Sequence, residues 1–227
     1  VSPPKTHGTS PVDSAPDNGG QGFPAPHPFS IPNFRAFWTA RLFSPLALNG
    51  LLLIVGWQAY NLARVEMGVR EAAGILGLLG LLQFVPLFIL TPLVGWVADR
   101  MDRRWIARAT LTVQVAVAVL LGVLTMQDAI TLNVIYAVAV VLGICRAFYG
   151  PAANALAPNL VPAASLPRAI ALSTIAWQVG VIAGPGIAGP LYAIDPSAPY
   201  FAFAAMMAVA LAAMFAIGPV PRAAFDA

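Results

Sequence analysis

Between Gly95 and Arg104 the chain reads Gly-Trp-Val-Ala-Asp-Arg-Met-Asp-Arg-Arg. With Arg108, six charges, four of them cationic, sit in a short gap between two apolar runs. Each flanking run is long enough to cross a bilayer as a helix, which takes about 20 apolar residues. The turn therefore stands at a membrane surface, and its arginines fix which surface.

The whole chain follows this pattern. Apolar residues make up 59% and charged residues 9%, with a mean hydropathy of +0.79; a soluble domain carries roughly 25% charged residues. From Phe34 onward six spans are predicted, at about 37–62, 72–98, 105–126, 130–152, 167–194 and 199–218. Each is apolar all round, as suits a helix facing both lipid and neighbours. Backbone groups in hydrocarbon must be satisfied internally, leaving helices or a closed barrel. The runs are too long and lack the alternation of barrel strands. The predicted class is an all-α membrane protein of six transmembrane helices.

Ten of the 12 basic residues, all but Arg64 and Arg70, fall on the side of the N-terminus. The positive-inside rule makes that side the cytoplasm, and an even span count returns the C-terminus there. The turns holding Asp128 and Asp195 are then extracytoplasmic. A net charge of +3, with the arginines in turns, gives no surface for nucleic acid.

Residues 1–33, rich in Pro, Gly, Ser and Asp, are expected to form a disordered cytoplasmic tail. His7 and His27 within it are expected to be solvated. The bundle is expected over residues 34–219, and residues 220–227 begin a cytoplasmic loop or tail. Cys145 is the single cysteine and reads as a buried core residue. No metal set is present, and no His lies in the membrane region. Glycine-rich patterns such as Gly184-Pro-Gly lie inside a span rather than after a strand. An enzyme and a resident cofactor are therefore not expected.

Three constellations carry candidate function. The first is the basic turn. Asp99 closes one span while Arg103 and Arg104 open the next, so a tight turn can pair them. The second is Arg146, four residues before Gly150 near the end of span four. A guanidinium there keeps its charge at all usable pH and must pair or reach water. The third is Gly180-Val-Ile-Ala-Gly184-Pro-Gly-Ile-Ala-Gly189-Pro in span five. Glycines at i and i+4 let a second helix approach, and Pro185 and Pro190 bend the span. For each, a plain alternative exists: snorkelling for the arginines, simple helix packing for the glycines.

These elements resemble the major facilitator superfamily of transporters. Gly95, Asp99, Arg100, Arg103 and Arg104 match its Gly-x-x-x-Asp-Arg/Lys-x-Gly-Arg-Arg turn, with Asp102 where that pattern usually has Gly. The resemblance implies a gating role for that turn. It implies proton coupling for the Arg146 element, with the proton as coupling ion. For the Gly180, Gly184, Pro185 and Gly189 element it implies an interface between two six-helix halves. Gly56-Trp-Gln-Ala-Tyr-Asn-Leu, Leu82-Gln-Phe-Val-Pro86 and Arg146-Ala-Phe-Tyr-Gly-Pro-Ala-Ala are similar to the branch that includes enterobactin-type exporters. Asp102 also fits that branch.

Asn49, Gln58, Tyr60, Gln83, Trp177 and Gln178 are the candidates for a substrate path. Uncharged polar and aromatic side chains of this kind suit amphipathic solutes with little fixed charge. The resemblance implies alternating-access, proton-driven efflux of a small drug- or siderophore-like molecule across the bacterial cytoplasmic membrane. It also implies a second six-helix half as partner, without which this chain is expected not to transport. The competing reading is a six-span scaffold or half-unit partner with no transport of its own.

Overall fold

The structure is a computed structural model that describes residues 26–218. Its six long helices are α1 (Pro32–Glu66), α2 (Val69–Arg100), α3 (Arg103–Met126), α4 (Leu132–Leu156), α5 (Leu166–Ile194) and α6 (Ala198–Ala216). All six are long and apolar enough to cross a membrane. The predicted spans coincide with them, although α1 begins five residues early and α4 runs four residues further.

Short connections force sequential helices to run antiparallel. Their starts are marked by local chemistry. Asp102 caps α3 by accepting from Arg104 N at 2.9 Å, and Thr131 Oγ1 accepts from Val134 N at the start of α4. Asp195 accepts from Ser197 N at 2.7 Å and Ala198 N at 3.2 Å before α6. Pro32 and Pro199 stand in first turns, where the missing N–H costs nothing. Prolines inside α1, α2, α4 and α5 are accommodated as in other membrane helices.

α1 is the hub. It packs most extensively on α5 and α6, while α2 lies on α4, and α3 on α4 and α6. Of the most apolar 18-residue stretch of α1, 61% is buried in the bundle; the value is 6% for α2 and 22% for α5. Large outward faces of α2 and α5 are thus left open. Leu51, Ile54, Leu121, Ile135, Tyr200 and Phe203 fill the central core. A second cluster at the basic end includes Phe34, Phe37, Leu111, Leu156 and Met214.

The expected tail requires a correction at its end. Residues 28–30 form a turn of 3₁₀ helix, capped by His27 Nδ1, which accepts from Phe29 N at 3.3 Å. Phe29 packs edge-on against Phe34 and Trp38. Ser165 Oγ donates to Pro26 O at 2.8 Å. Buried Pro28 and the packing of Phe29 fix this turn on the bundle. Residues 1–25 and 219–227, including His7 and the expected final loop, lie outside the described residues.

Candidate functional site

Where α1, α2, α4 and α5 diverge, a cavity of about 880 Å³ opens. Its polar wall comes from α1 and α4: Arg41, Ser44 and Asn49 on one, Arg146, Tyr149 and Asn154 on the other. Thr91 and Gly95 of α2 and Trp177 of α5 complete it, with Pro45, Leu48, Leu87 and Val181 as apolar lining. Helical spacing explains the grouping. Residues three, four and seven or eight apart share a face, so Arg41, Ser44 and Leu48 line up, as do Arg146, Tyr149, Gly150 and Asn154.

Arg41 donates to Asn154 Oδ1 at 2.6 Å. Tyr149 and Ser44 are 7% and 1% exposed, and the tyrosine hydroxyl lies beside both Ser44 and Arg41. Nevertheless Arg41 Nε, Ser44 Oγ and the Tyr149 hydroxyl make no completed hydrogen bond among the described residues. Asn49 is satisfied locally, donating to Pro45 O at 2.7 Å.

Of the residues proposed from sequence for the path, Asn49 and Trp177 line the cavity, together with Arg146, Gly150 and Gly95. The others do not. Gln58 is buried in a structural network at the opposite end, donating to Thr125 Oγ1 at 3.1 Å and accepting from the Tyr200 hydroxyl. Tyr60 lies near that end too, beside Trp57 and under Arg64. Gln83 marks the crossing of α2 and α4: a Cβ on Gly143 would lie 2.5 Å from the Gln83 carbonyl oxygen. Gln178 is exposed and outside the cavity. The sequence view assigned polarity to a path because it could not tell which polar residue a neighbouring helix would satisfy.

The glycine element of α5 also needs correction. A Cβ on Gly184 would collide with the Leu46 carbonyl oxygen, and one on Gly180 would lie 2.7 Å from the Leu42 carbonyl oxygen. That face is already filled by α1 of the same chain. Gly189 meets nothing within 4 Å, and Pro185 is partly buried.

In the basic turn the partners of the arginines among the described residues are Asp102, an aromatic ring and the carbonyls of neighbouring helices. Arg104 pairs with Asp102 at 2.6 Å and also donates to Gly218 O at 2.6 Å. Arg103 donates to Ala155 O at 3.2 Å, near the end of α4. Arg108 reaches the carbonyls of Met214 and Ile217. Two arginines of α3 thus cap the end of α6, whose last carbonyls have no intrahelical donor. Arg100 stacks over Trp96 with its guanidinium carbon 4.0 Å from the ring centre. The bond from Arg104 holds the Asp102 carboxyl below the usual carboxylate range. The Asp99 side chain lies outside the described residues.

Arg41, Ser44, Tyr149 and Asn154 were missed in the sequence reading. Their signal was present as the polar i, i+3, i+8 spacing of Arg146, Tyr149 and Asn154 at the end of span four and just past it, and as the Arg-x-x-Ser pair on span one.

Comparison with known proteins agrees with this architecture. Macrolide efflux protein A of Streptococcus pyogenes is 28% identical over 123 residues, which is 54% of this chain and 30% of that protein. Staphyloferrin A transporter of Staphylococcus aureus is 30% identical over 120 residues, 52% of this chain and 30% of the other. Putative multidrug resistance protein MdtD of Yersinia enterocolitica is 29% identical over 101 residues, 44% of this chain and 20% of the other. The matched stretches thus span less than a third of each of these relatives. The Major Facilitator Superfamily pattern itself matches residues 37–226. With that match running through all six spanning helices, the chain belongs to the major facilitator superfamily.

Proposed function

We propose that this chain is one six-helix half of a secondary transporter that exports a small amphipathic molecule from a bacterial cell by alternating access. The observation that carries the reading is the cavity between α1, α2, α4 and α5, which joins a polar wall to an apolar one. A pocket of this kind orients a ligand by a few polar groups and holds it by apolar contact. The open faces of α2 and α5 flank its mouth, and a second six-helix half would close it. The relatives named for macrolide efflux, staphyloferrin A transport and multidrug resistance support export.

The α2–α3 turn is the gate in this mechanism. Asp99 supplies its carboxylate, and Arg100, Arg103 and Arg104 supply cations that break and re-form contacts as the halves rock. Protons drive the cycle. Arg146 holds a fixed charge at the cavity wall, where it biases the protonation of a carboxylate brought near it. Both chain ends face the cytoplasm, as the distribution of arginines supports.

The test is accumulation of fluorescent dyes and macrolides in an efflux-deficient strain expressing the complete protein. Lower accumulation that a protonophore abolishes is expected, and Asp99→Asn should remove it while leaving membrane insertion intact. Equal accumulation with and without the protein, across a panel that includes siderophores, would favour a scaffold. Reporter fusions after Gln127 and after Ile194 should read as extracytoplasmic.

A further inference from the structure

We propose that the α1–α4 wall of the cavity receives the carboxylate of an amphipathic anionic substrate, with Arg41 and Arg146 as its charge anchors. The assignment rests on the transporter reading and adds the substrate class to it.

Charge comes first. Two guanidinium groups line the cavity, and among the described residues no Asp or Glu does; the Asp99 side chain, one turn beyond the lining Gly95, lies outside them. Arg41 is hydrogen-bonded to the neutral amide oxygen of Asn154, so its charge is not compensated there. Arg146 is exposed to the cavity and makes no hydrogen bond among the described residues. A guanidinium cannot shed its proton to escape a poor environment. At membrane depth it must find water or an anion.

Hydrogen-bond inventory points the same way. Each guanidinium brings five N–H donors and no acceptor. Arg41 Nε, Ser44 Oγ and the Tyr149 hydroxyl are buried within the wall, so the donors offered to a ligand are the remaining guanidinium N–H groups of Arg41 and Arg146. Both charged groups of the wall are donors only. A carboxylate is acceptor-only, and its planar pair of oxygens matches the guanidinium fork. A neutral ligand could accept from the same donors through a carbonyl or hydroxyl oxygen, but without the charge-assisted strength of a carboxylate. A cation would also meet two like charges.

The rest of the cavity defines the rest of the ligand. Trp177, Leu87, Leu48 and Val181 offer aromatic and aliphatic surface. The expectation of a solute with little fixed charge, drawn from uncharged polar residues, thus gives way to a hydrophobic body bearing one negative charge. Gln58, Tyr60 and Gln83 had suggested neutrality, but none of them lines this cavity.

The experiment uses the complete protein in nanodiscs of zwitterionic phosphatidylcholine, so that no anionic lipid competes. Three probes share one fluorophore: dansylglycine (anionic), dansylamide (neutral) and dansylethylenediamine (cationic). Their fluorescence enhancement gives the affinities. Dansylglycine should bind at least about tenfold more tightly than dansylamide, as a charge-assisted pair implies. The cation should bind most weakly. Arg41→Gln and Arg146→Gln should each bring the glycine-to-amide ratio towards one through loss of dansylglycine affinity, and Arg41→Lys should retain a preference. If Arg41→Gln does not yield monodisperse protein, Arg146→Gln carries the test.

Binding of the amide or the cation as tight as that of the anion would overturn the assignment. That result would also follow if a carboxylate elsewhere in the protein neutralised the wall. Vesicle transport of the same probes separates the two readings. Anion-selective binding with no energised movement of any probe would sink the transporter and leave the site. Energised movement favouring the amide or the cation would sink the site and leave the transporter.

Discussion

The two sides of α1 are built to opposite plans. Towards α5 and α6 it is sealed: Gly180 and Gly184 of α5 press against its backbone, Phe203 fills the space over Gly50, and Gln58 is bonded to Thr125 and Tyr200. Towards α2 and α4 it is open, and Arg41 lines a cavity there, with the hydroxyl of Ser44 buried unpaired behind it among the described residues. The same helix and the same kinds of residue thus give a seam on one side and a wall on the other. What differs is whether a neighbouring helix brings the complementary group. A polar residue in an apolar span is a packing device when it does, and a ligand contact when it does not.

The contrast is most easily broken at the seam. Gly184→Leu should cost more than about 3 kcal/mol, because the clash is with helix backbone that cannot turn aside. Size-exclusion chromatography should show aggregated or absent protein, whereas Gly150→Ala, where a Cβ meets nothing within 4 Å, should elute as wild type. A monodisperse Gly184→Leu protein of normal melting temperature would show that α1 and α5 do not meet as described.

Tyr200→Phe comes next. Tyr200 is 0% exposed, and its hydroxyl donates to Gln58. Removing it leaves a buried amide oxygen with only a long contact to Thr125, at 3.4 Å. A loss of about 1–3 kcal/mol is expected, read as a lower melting temperature.

On the open side the same chemistry should cost little. Ser44→Ala removes a hydroxyl that has no partner, so stability should stay within about 0.5 kcal/mol of wild type. A loss comparable to that of Tyr200→Phe would mean that the open wall is sealed after all.

Smallest is Asp102→Asn. Asn caps a helix about as well as Asp, and the ion pair to Arg104 is partly exposed, so the change should be within about 1 kcal/mol at neutral pH. The native carboxyl titrates below its unfolded value. Its contribution is therefore complete above about pH 4 and is lost only as pH falls further through the lowered value. Melting curves of wild type and Asp102→Asn should run parallel from pH 5 to 8 and converge in acid.

The fold was legible because hydrophobic length survives without knowledge of neighbours. Six runs gave six helices, with ends misplaced where the helix continues past its apolar core, as at the start of α1 and the end of α4. The site was half legible. Arg146 and Trp177 stood out by type, but Arg41, Ser44 and Tyr149 acquire meaning only once α1 and α4 face each other. Gln58 and Gly184 misled for the same reason in reverse, since partners distant in sequence had already satisfied them. Gln114 extends the lesson. It is 0% exposed, and its amide finds no partner among the described residues; nothing in the pattern of α3 separates it from Gln58.

Gly218 is held at both of its backbone polar groups. Its N–H donates to Asn33 Oδ1 at 3.3 Å, and its carbonyl accepts from Arg104. Through this one residue the beginning of α1, the beginning of α3 and the end of α6 are knotted together. Bending any one of the three helices pulls on the other two while these bonds hold, whereas α2 has the fewest ties to the rest. A pull on the chain following Gly218 would reach the basic turn directly, through a single guanidinium.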